Sequence, residues 1–270
     1  MADIPQEANP KQAIMPTPSN NASLPKKVGG FSTVCEALDY AAQGETGYNF
    51  FNLRGEATAV LPYRDLRDRA KALARKIADR FERGARLAII AETSPDFIVT
   101  FYACQYAGLV PAPMPMPVNL GGKDGYINQI RQMIAGARAE AAVGPETLRE
   151  FLDQAAAEAG GADVFSYEDL DALPDAGEEP DPFGADDHCY IQYSSGSTSA
   201  PKGVIGVQRS VCANLTAIAR DGMYLRPNDR ACSWLPLYHD MGLIGFVLTP
   251  MNGQVSVDFL ATSDFVRRPL

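Results

Sequence analysis

The chain has 270 residues, 46% of them hydrophobic, and a formal net charge of −9, so it can build one large or two ordinary domains around a substantial core. Nucleic acids and anionic membranes attract basic surfaces, so neither is expected as a partner of this acidic chain. No stretch approaches the ~20 apolar residues that cross a bilayer, and residues 1–27 lack the apolar segment of a secretory signal.

The five cysteines are odd in number and lie far apart in the chain, without a CxxC pair. We expect them to be reduced thiols of a cytoplasmic protein. Zinc binding through Cys189, His188 and His239 is an alternative, but these residues lack the regular spacing of zinc ligands.

The beginning of the chain differs in composition from the rest. Residues 1–28 are rich in proline, asparagine, serine, lysine and glutamine and have little to bury. They predict a disordered N-terminal tail, followed by an ordered domain over residues 29–270.

The predicted ordered domain begins with sequence patterns of a helix and of a hairpin. Residues 32–42 predict a short helix with Ser32 as its cap. Residues 48–61 predict a hairpin that turns at 54–56. The segment 63–81 carries apolar residues at a helical period with basic residues opposite, so it predicts an amphipathic helix with a solvated charged face.

Strands and helices then alternate. Residues 86–91 form a short apolar run that suits a buried parallel strand, and Ser94 with Pro95 marks the start of a helix. Gly108 ends that helix before a strand at 109–116, which completes a β-α-β unit. Further helices and strands alternate at 127–134, 141–143, 146–159 and 164–165. This order predicts an α/β fold with mainly parallel sheets flanked by helices.

An acidic stretch follows. From Glu150 to Pro201, both included, the chain has thirteen acidic residues and no lysine or arginine. The part at 169–187, with its prolines and glycines, predicts an exposed acidic connector. Metal binding by these carboxylates is the more specific alternative, but their spacing along the chain is irregular.

The most informative stretch is YIQYSSGSTSAPKGVIGV at 190–207. Two β-prone runs flank small polar residues, and Lys202 stands between Pro201 and Gly203. N–H groups and hydroxyls in such a turn can surround one anion, and lysine adds a positive charge with three donors. We interpret the stretch as a phosphate-binding loop, with a solvated turn as the alternative. It is not a Walker loop, which needs glycine before its lysine.

The region after this loop predicts a helix at 208–219 and a β-prone run at 229–234. His239 and Asp240 then lie at a strand-to-helix junction. Such junctions at the carboxyl ends of strands are where α/β sheets bind ligands.

The loop resembles the signature of the AMP-forming acyl ligases, the superfamily of acyl-CoA synthetases, luciferases, peptide-synthetase adenylation domains and fatty acyl-AMP ligases. The family pattern is Ser/Thr-Ser-Gly-Ser/Thr-Thr-Gly-x-Pro-Lys-Gly-Val. This chain has Ser199 where glycine is expected, and a serine adopts positive φ only at a cost of about 1–2 kcal/mol. A second stretch, SWLPLYHDMGLIGFVLTP at 233–250, resembles the fatty acyl-AMP ligase branch in particular. The family often has Ser-His-x-Asn near Gln208, and this chain departs from it there.

The resemblance implies ATP and Mg²⁺ as cofactors and roles for individual residues. The residues that would hold the ATP phosphates are Ser194, Ser195, Gly196, Ser197, Thr198 and Lys202. The catalytic residues would be His239 and Lys202, with His239 beside the α-phosphate and the acyl carboxylate. The residues that would face the substrate are His239, Asp240, Met241 and Gly242. No metal ligand is assigned. The apolar residues after Asp240 could line an acyl tunnel or form helix core.

The resemblance also implies partners. A fatty acid would be activated to acyl-AMP and passed to the thiol of an acyl carrier protein or of CoA, which this chain does not distinguish. The resemblance covers residues 31–270 and only the N-terminal part of the family pattern. We therefore expect an incomplete piece of the large N-terminal domain of an adenylate-forming enzyme, lacking the C-terminal part. Such a piece would expose apolar sheet edges.

Two other functions stay open at this point. A nucleotide- or lipid-binding module without turnover agrees with the incomplete pattern. A serine hydrolase or acyltransferase would use Ser194, Ser195 or Ser197 with His239, but these serines lack the Gly-x-Ser-x-Gly elbow that such enzymes carry.

Overall fold

The first sheet joins the beginning and the end of the chain. The structure, a computed structural model, describes residues 14–19, 21–117, 122–175, 177, 179–194 and 201–268. Across this sheet the strands are β2 (Ala57–Pro62), β1 (Gly47–Phe51), β10 (Ser256–Leu260) and β9 (Arg230–Ser233). Strands β1 and β2 form the predicted antiparallel hairpin, whereas β1, β10 and β9 run parallel.

The second sheet is parallel throughout. Across it the strands are β4 (Val110–Met114), β3 (Arg86–Ile90), β5 (Ala141–Gly144) and β6 (Asp163–Ser166). In β3, Leu87 and Ile89 belong to one apolar core, and Ala88 and Ile90 belong to a second core on the other face. Burial on both faces is why this strand is apolar at consecutive positions. The predicted α/β class with mainly parallel sheets flanked by helices is confirmed.

Helices cover both sheets. The α-helices among the described residues are α1 (Val34–Ala41), α2 (Tyr63–Arg80), α3 (Pro95–Tyr106), α4 (Lys123–Ala137), α5 (Arg149–Ala159), α6 (Tyr167–Asp171), α7 (Gln208–Ala217), α8 (Thr249–Asn252) and α9 (Thr262–Arg267). A 3-10 turn precedes α5, and π-helical segments occupy Ile218–Gly222 and Met241–Leu248.

Helix α3 is buried on every side from Phe97 to Tyr106, which is the pattern of a central helix. It starts as predicted: the Ser94 hydroxyl accepts a hydrogen bond from the Phe97 amide at 3.4 Å, and Pro95 occupies the first helical position. The chain therefore enters the helix without an unpaired amide at that position.

Helix α1 begins one residue later than predicted. Its cap is Thr33 and not Ser32, because the Thr33 hydroxyl accepts from the Glu36 amide at 3.1 Å. The Ser32 amide instead donates to the Glu36 carboxylate at 2.6 Å. Two neighbouring hydroxyl residues give the sequence two possible caps, and only the backbone geometry distinguishes them.

Residues 14–19 and 21–28 form an N-terminal strap, which differs from the predicted disordered tail. The Thr17 amide donates to Asn49 Oδ1 at 2.7 Å, and the Thr17 hydroxyl lies 3.0 Å from that of Ser256. Arg230 Nη1 donates to the Thr17 carbonyl at 2.7 Å. Polar contacts hold this segment, so its scarcity of buried apolar residues was a poor guide. Residues 1–13 of the predicted tail lie outside the described residues.

The acidic connector at 169–187 is attached to the domain. Its first residues belong to α6, and Arg83 binds two of its carboxylates, Asp181 at 3.0 Å and Asp187 at 2.9 Å. The Arg83 guanidinium lowers the pKa of Asp187. Phe183 is only 5% exposed. The connector therefore combines exposed carboxylates with a buried aromatic anchor.

Candidate functional site

The predicted phosphate-binding loop joins the strands of an antiparallel hairpin, β7 (His188–Ser194) and β8 (Lys202–Val207). Ser194 and Lys202 are paired at the loop end of the hairpin, a geometry that keeps paired side chains within about 5 Å of one another at Cβ. Lys202 is exposed. Residues 195–200 lie outside the described residues, and with them the candidates Ser195, Gly196, Ser197 and Thr198. What is described is the mouth of the loop, with one cation at it.

Gly203 explains why glycine follows the lysine. A Cβ at this position would lie 2.8 Å from Ile191 Cγ2 and 3.4 Å from the Tyr193 ring. Contacts under 3.0 Å force a neighbour to move. The absence of a side chain at Gly203 lets β8 lie against the side chains of β7.

Strand β7 is anchored in the core just before the loop. Ile191 and Tyr193 belong to the apolar core that includes α4, and the Tyr193 hydroxyl donates to the carbonyl of Met133 on that helix. Burial raises the pKa of Tyr193 to about 12, so the phenol stays neutral and remains a donor at physiological pH. The approach to the loop is therefore held by packing and by a hydrogen bond.

Two buried glutamines tie the base of the hairpin to the helices. Gln105 Nε2 donates to the Cys189 carbonyl at 2.7 Å, and Gln208 Nε2 donates to Gln105 Oε1 at 2.7 Å. Gln208 Oε1 accepts from the Val34 amide at 3.1 Å. Both glutamines are at most 1% exposed. This glutamine pair joins α1, α3, β7 and α7, and buried amides that are fully bonded in this way make an arrangement specific.

The His239 segment, Trp234–Gly242, follows β9 at the carboxyl end of the first sheet. Gln192 on β7 donates through Nε2 to the Tyr238 carbonyl at 3.4 Å. The His239 amide donates to the Pro236 carbonyl at 3.1 Å. The structure thus brings the segment that carries His239 beside the strand that leads into the loop.

Asp240 orients the His239 side chain. His239 Nδ1 lies 2.5 Å from Asp240 Oδ1, which also accepts from the Met241 amide at 2.7 Å. The side chains of His239 and Asp240 are 50% and 63% exposed. One carboxylate therefore fixes the imidazole and satisfies an amide at the start of the π-helical segment.

Gly242 is a packing requirement of this segment. A Cβ added there would lie 2.0 Å from the Pro236 carbonyl oxygen, which is backbone and cannot rotate away. Gly245 in the same π-helical segment has open space around its would-be Cβ. Gly242 therefore allows the π-helical segment to lie directly against the turn before His239.

The apolar residues after Asp240 divide into two groups. Leu243 and Val247 are fully buried in the large core, so helix core describes them, and Ile244 and Phe246 are half-buried against the same core. Met241 is 58% exposed. Before Asp240, the Trp234 side chain is 41% exposed and stacks on Phe265 with ring centroids 4.0 Å apart.

Four of the five cysteines are buried. Cys35, Cys104, Cys189 and Cys212 are buried free thiols and Cys232 is exposed. Burial raises the pKa of Cys189, and its thiol faces Gln105 Oε1 at 3.7 Å. Within the described ranges, no group of three or more histidine, cysteine or acidic residues could hold a metal ion.

The predicted site residues are brought together only in part. The structure pairs Ser194 with Lys202 and connects β7 to the His239 segment through Gln192. A cavity of about 460 Å³ lies elsewhere, between the ends of α2 and α4, with Arg80 and Arg138 in its lining. The roles assigned to His239, Asp240, Met241 and Gly242 stay predictions.

Sequence reasoning missed Gln105, Gln192 and Gln208. All three use side-chain amides to bind backbone groups around the candidate site. Gln208 stands near the start of α7, where the family pattern differs from this chain, and that departure was the available signal. Gln105 and Gln192 interrupt apolar runs, a weaker signal for buried amides.

Comparison with known proteins gives a consistent assignment. The AMP-binding enzyme family matches residues 42–268. A Caulobacter vibrioides protein named "Putative acyl-CoA synthetase" is 47% identical over 95% of this chain and 44% of its own length. The medium-chain-fatty-acid–[acyl-carrier-protein] ligase JamA of Moorena producens is 25% identical over 89% of this chain and 41% of its own length.

A solved structure agrees with these relatives. It comes from a study of fatty acyl-adenylate ligases from E. coli and L. pneumophila, with a TM-score of 0.88 and 41% identity over 91% of this chain and 44% of that chain. The present chain thus spans less than half the length of these relatives and corresponds to their N-terminal portion. No helix among the described residues is long and apolar enough to cross a membrane. The chain belongs to the family of AMP-binding enzymes.

Proposed function

We propose that this chain is part of an enzyme that uses ATP to activate a fatty acid as acyl-AMP. The observation that carries the proposal is the β7–β8 hairpin, in which Lys202 lies opposite Ser194 at the mouth of a loop of small polar residues. A cation at that position suits the phosphates of ATP. The family match and the names of the relatives support adenylation and fatty acids as the substrate class.

The reaction joins two anions. A carboxylate oxygen of the fatty acid attacks the α-phosphorus of ATP and forms a new P–O bond. The bond from the α-phosphorus to the bridging oxygen breaks, and pyrophosphate leaves with that electron pair. The protein must hold the partners in line and stabilise charge on the leaving group, so positioning and electrostatics matter more than proton transfer.

Lys202 and the loop would bind the β- and γ-phosphates, with Ser194 at the first position of the loop. His239 would donate toward the α-phosphate or the acyl carboxylate, and Asp240 would hold its ring in place. Gln192 would keep this segment at a constant distance from the loop. Mg²⁺, arriving with ATP, would screen the triphosphate charge.

The acceptor of the acyl group is a thiol in this proposal. The thiol of an acyl carrier protein would attack the acyl carbon and release AMP, or CoA would do so instead. The name of JamA supports a carrier protein, and that of the Caulobacter relative supports CoA. A cytoplasmic location, expected from the cysteine pattern, stays a prediction.

The experiment that tests the proposal is ATP–pyrophosphate exchange with fatty acids of short, medium and long chain length. It should be run on the 270-residue chain and on a longer protein that contains it. We expect exchange that depends on the fatty acid in the longer protein. Exchange in neither protein, with ATP or lipid still bound, would contradict adenylation and favour the non-catalytic binding module.

A further inference from the structure

The π-helical segment Met241–Leu248 begins directly after His239 and Asp240. In a π-helix each N–H bonds to the carbonyl five residues earlier, not four as in an α-helix. Such segments are rare, mostly last a single turn, and are frequent at functional sites. This segment has eight residues, so specific contacts must keep it in this form.

Pro250 explains why the helical bonding is interrupted at the end of the segment. The Thr249 amide donates to the Ile244 carbonyl, five residues earlier. Pro250 comes next, at the start of α8, and proline has no N–H. The next hydrogen bond of the helix therefore cannot form in either the π or the α pattern. The last turn of the segment depends on contacts from elsewhere in the fold.

One such contact comes from Tyr48 on β1. Its phenol donates to the Val247 carbonyl at 2.6 Å, between residues 199 positions apart. Tyr48 is fully buried, and its ring lies 5.0 Å from that of Tyr63 and 5.5 Å from that of Phe259. Burial raises the pKa of Tyr48, so the phenol keeps its proton at physiological pH. A rigidly packed donor therefore holds the end of the π-helical segment.

The first turn of the segment is joined to the backbone of His239. The Leu243 amide donates to the His239 carbonyl at 2.8 Å, and the Met241 amide donates to the Asp240 carboxylate at 2.7 Å. The His239 backbone and the Val247 carbonyl therefore mark the two ends of one helical segment. A change of hydrogen-bond pattern between them would have to displace one end relative to the other.

We propose that Tyr48 is a positioning residue for His239, on which it acts through the Val247 carbonyl and the π-helical segment. One residue of an α-helix corresponds to a rise of about 1.5 Å and a rotation of roughly 100°, which sets the size of a shift between the two patterns. Gly242 packs against Pro236 at one end, and the phenol binds Val247 at the other. The pattern is fixed while both contacts last, and loss of the phenol lets the segment change and His239 move.

The placement of His239 by Tyr48 is a matter of geometry and needs no ligand. Its consequence for acyl-AMP formation rests on the proposed function, in which His239 contacts the α-phosphate or the acyl carboxylate. Spectroscopy on the 270-residue chain tests the placement, and kinetics on the longer protein test the consequence. Each can therefore fail without the other.

The chain has two histidines, His188 and His239, so NMR of the imidazole groups reports directly on the placement. The signals are assigned by their loss in His188→Gln and His239→Gln. At one pH, Tyr48→Phe should shift the His239 signals by more than their linewidth and leave those of His188 in place. This variant removes only the hydroxyl that binds the Val247 carbonyl.

Tyr63→Phe is the matched control. Tyr63 is also fully buried, and its phenol donates at 2.6 Å to the carbonyl of Val255, which follows α8. Tyr63→Phe removes the same group from the same cluster and should lower the unfolding free energy by a similar amount. It should leave the His239 signals unchanged, because its partner lies outside the π-helical segment. A general loss of stability would affect both variants alike.

Pro250→Ala approaches the same segment without removing a buried donor. Alanine restores the missing N–H, so the α pattern becomes available at the end of the segment. We expect the His239 signals to shift in the same direction as in Tyr48→Phe. This second variant keeps the placement testable if Tyr48→Phe fails to fold.

Fatty-acid-dependent ATP–pyrophosphate exchange in the longer protein measures the consequence. Tyr48→Phe should lower kcat by up to about 100-fold, as expected for a small misplacement of a group at the site, with little change in the KM for ATP. Tyr63→Phe should keep the kcat of the unsubstituted protein. Absence of exchange in the unsubstituted protein would contradict the proposed function, and the NMR comparison would still decide the placement.

Two outcomes would overturn the proposal. One is a folded Tyr48→Phe or Pro250→Ala variant in which the His239 signals do not move. The other is an equal shift of the His239 signals in Tyr48→Phe and Tyr63→Phe, because the tyrosine cluster would then act on the whole core and not on the π-helical segment.

Discussion

The two halves of the candidate site are built in opposite ways. The hairpin base is buried, with Gln105 and Gln208 at most 1% exposed and joined by hydrogen bonds of 2.7 Å. In the His239 segment the imidazole is half exposed, and a 3.4 Å bond from Gln192 connects the segment to β7. The loop therefore has a rigid base, whereas the side chain expected to act on the substrate is held locally and open to solvent.

This difference indicates which contacts hold each half of the candidate site in place. The hairpin base is stabilised by long-range contacts with α1 and α3, so it should keep its geometry in this chain alone. The His239 side chain depends on Asp240, its neighbour in sequence. A substrate or a further part of the protein would have to exclude water from it. The following changes test this contrast from the largest expected effect to the smallest.

Gly242→Ala should have the largest effect, on the His239 segment. The new methyl group would overlap the Pro236 carbonyl, and such overpacking costs up to about 3 kcal/mol of unfolding free energy. Urea unfolding measures the loss. Gly245→Ala is the control, with open space around it, and should be neutral or slightly stabilising because alanine favours helix. Equal losses in both variants would contradict the tight contact.

Lys202→Ala should weaken triphosphate binding and leave the unfolding free energy unchanged, because Lys202 is exposed. A charge-assisted contact contributes roughly 1.5–3 kcal/mol, or about 10- to 150-fold in affinity. Isothermal titration with ATP, and with Lys202→Arg as the charge-conserving control, measures it. Unchanged ATP affinity in a protein that binds ATP would remove Lys202 from the site.

The glutamine pair gives a double-mutant cycle at the hairpin base. Gln208→Leu or Gln105→Leu alone leaves a buried amide unpaired and should cost roughly 1–3 kcal/mol of unfolding free energy. The double variant should cost less than the sum of the single variants, because the bond between the two side chains is removed only once. Additive losses in urea unfolding would show that the two amides act separately.

The smallest effect is expected at the acidic connector. The pKa of Asp187 is lowered by Arg83, so its contribution to stability is present above the unfolded value of about 3.9. That contribution is lost as the pH falls through the folded value. Arg83→Gln should lower the unfolding free energy by about 0–1 kcal/mol at pH 7 and by less in acid.

A control exists for this pair as well. Arg220 binds the carboxylate of its neighbour Asp221, so Arg220→Gln should leave the unfolding free energy unchanged. A larger loss for Arg83→Gln near pH 3 than at pH 7 would contradict the assigned role of Asp187.

Much of the fold was predictable because it depends on local patterns. The apolar run at Arg86–Ile90, the Ser94-Pro95 helix start and the amphipathic helix at Tyr63–Arg80 each gave an element close to its observed bounds. The fatty acyl-AMP ligase resemblance came from ordered motifs, and the family match supports it. The phosphate-binding role of the loop stays a prediction.

What the sequence did not reveal depends on contacts between distant residues. The N-terminal strap is held by hydrogen bonds to β1, β9 and β10, and a pattern of apolar residues does not predict such bonds. The pairing of Gln105 with Gln208 joins residues 103 positions apart. From the motif, Gly242 was predicted to face the substrate. Its close approach to Pro236 can be seen only in the three-dimensional structure.

The N-terminal strap also constrains how the protein is made. Thr17 and Ser256 are 239 positions apart, and β1 needs β10 as a neighbour. On the ribosome the strap and β1 emerge early, but β10 follows only about 200 residues after β1. The first sheet is therefore expected to form only after β10 has been made, and such long-range pairing is slow. Until then, β1 can pair only with β2, and its other edge stays open to unwanted pairing.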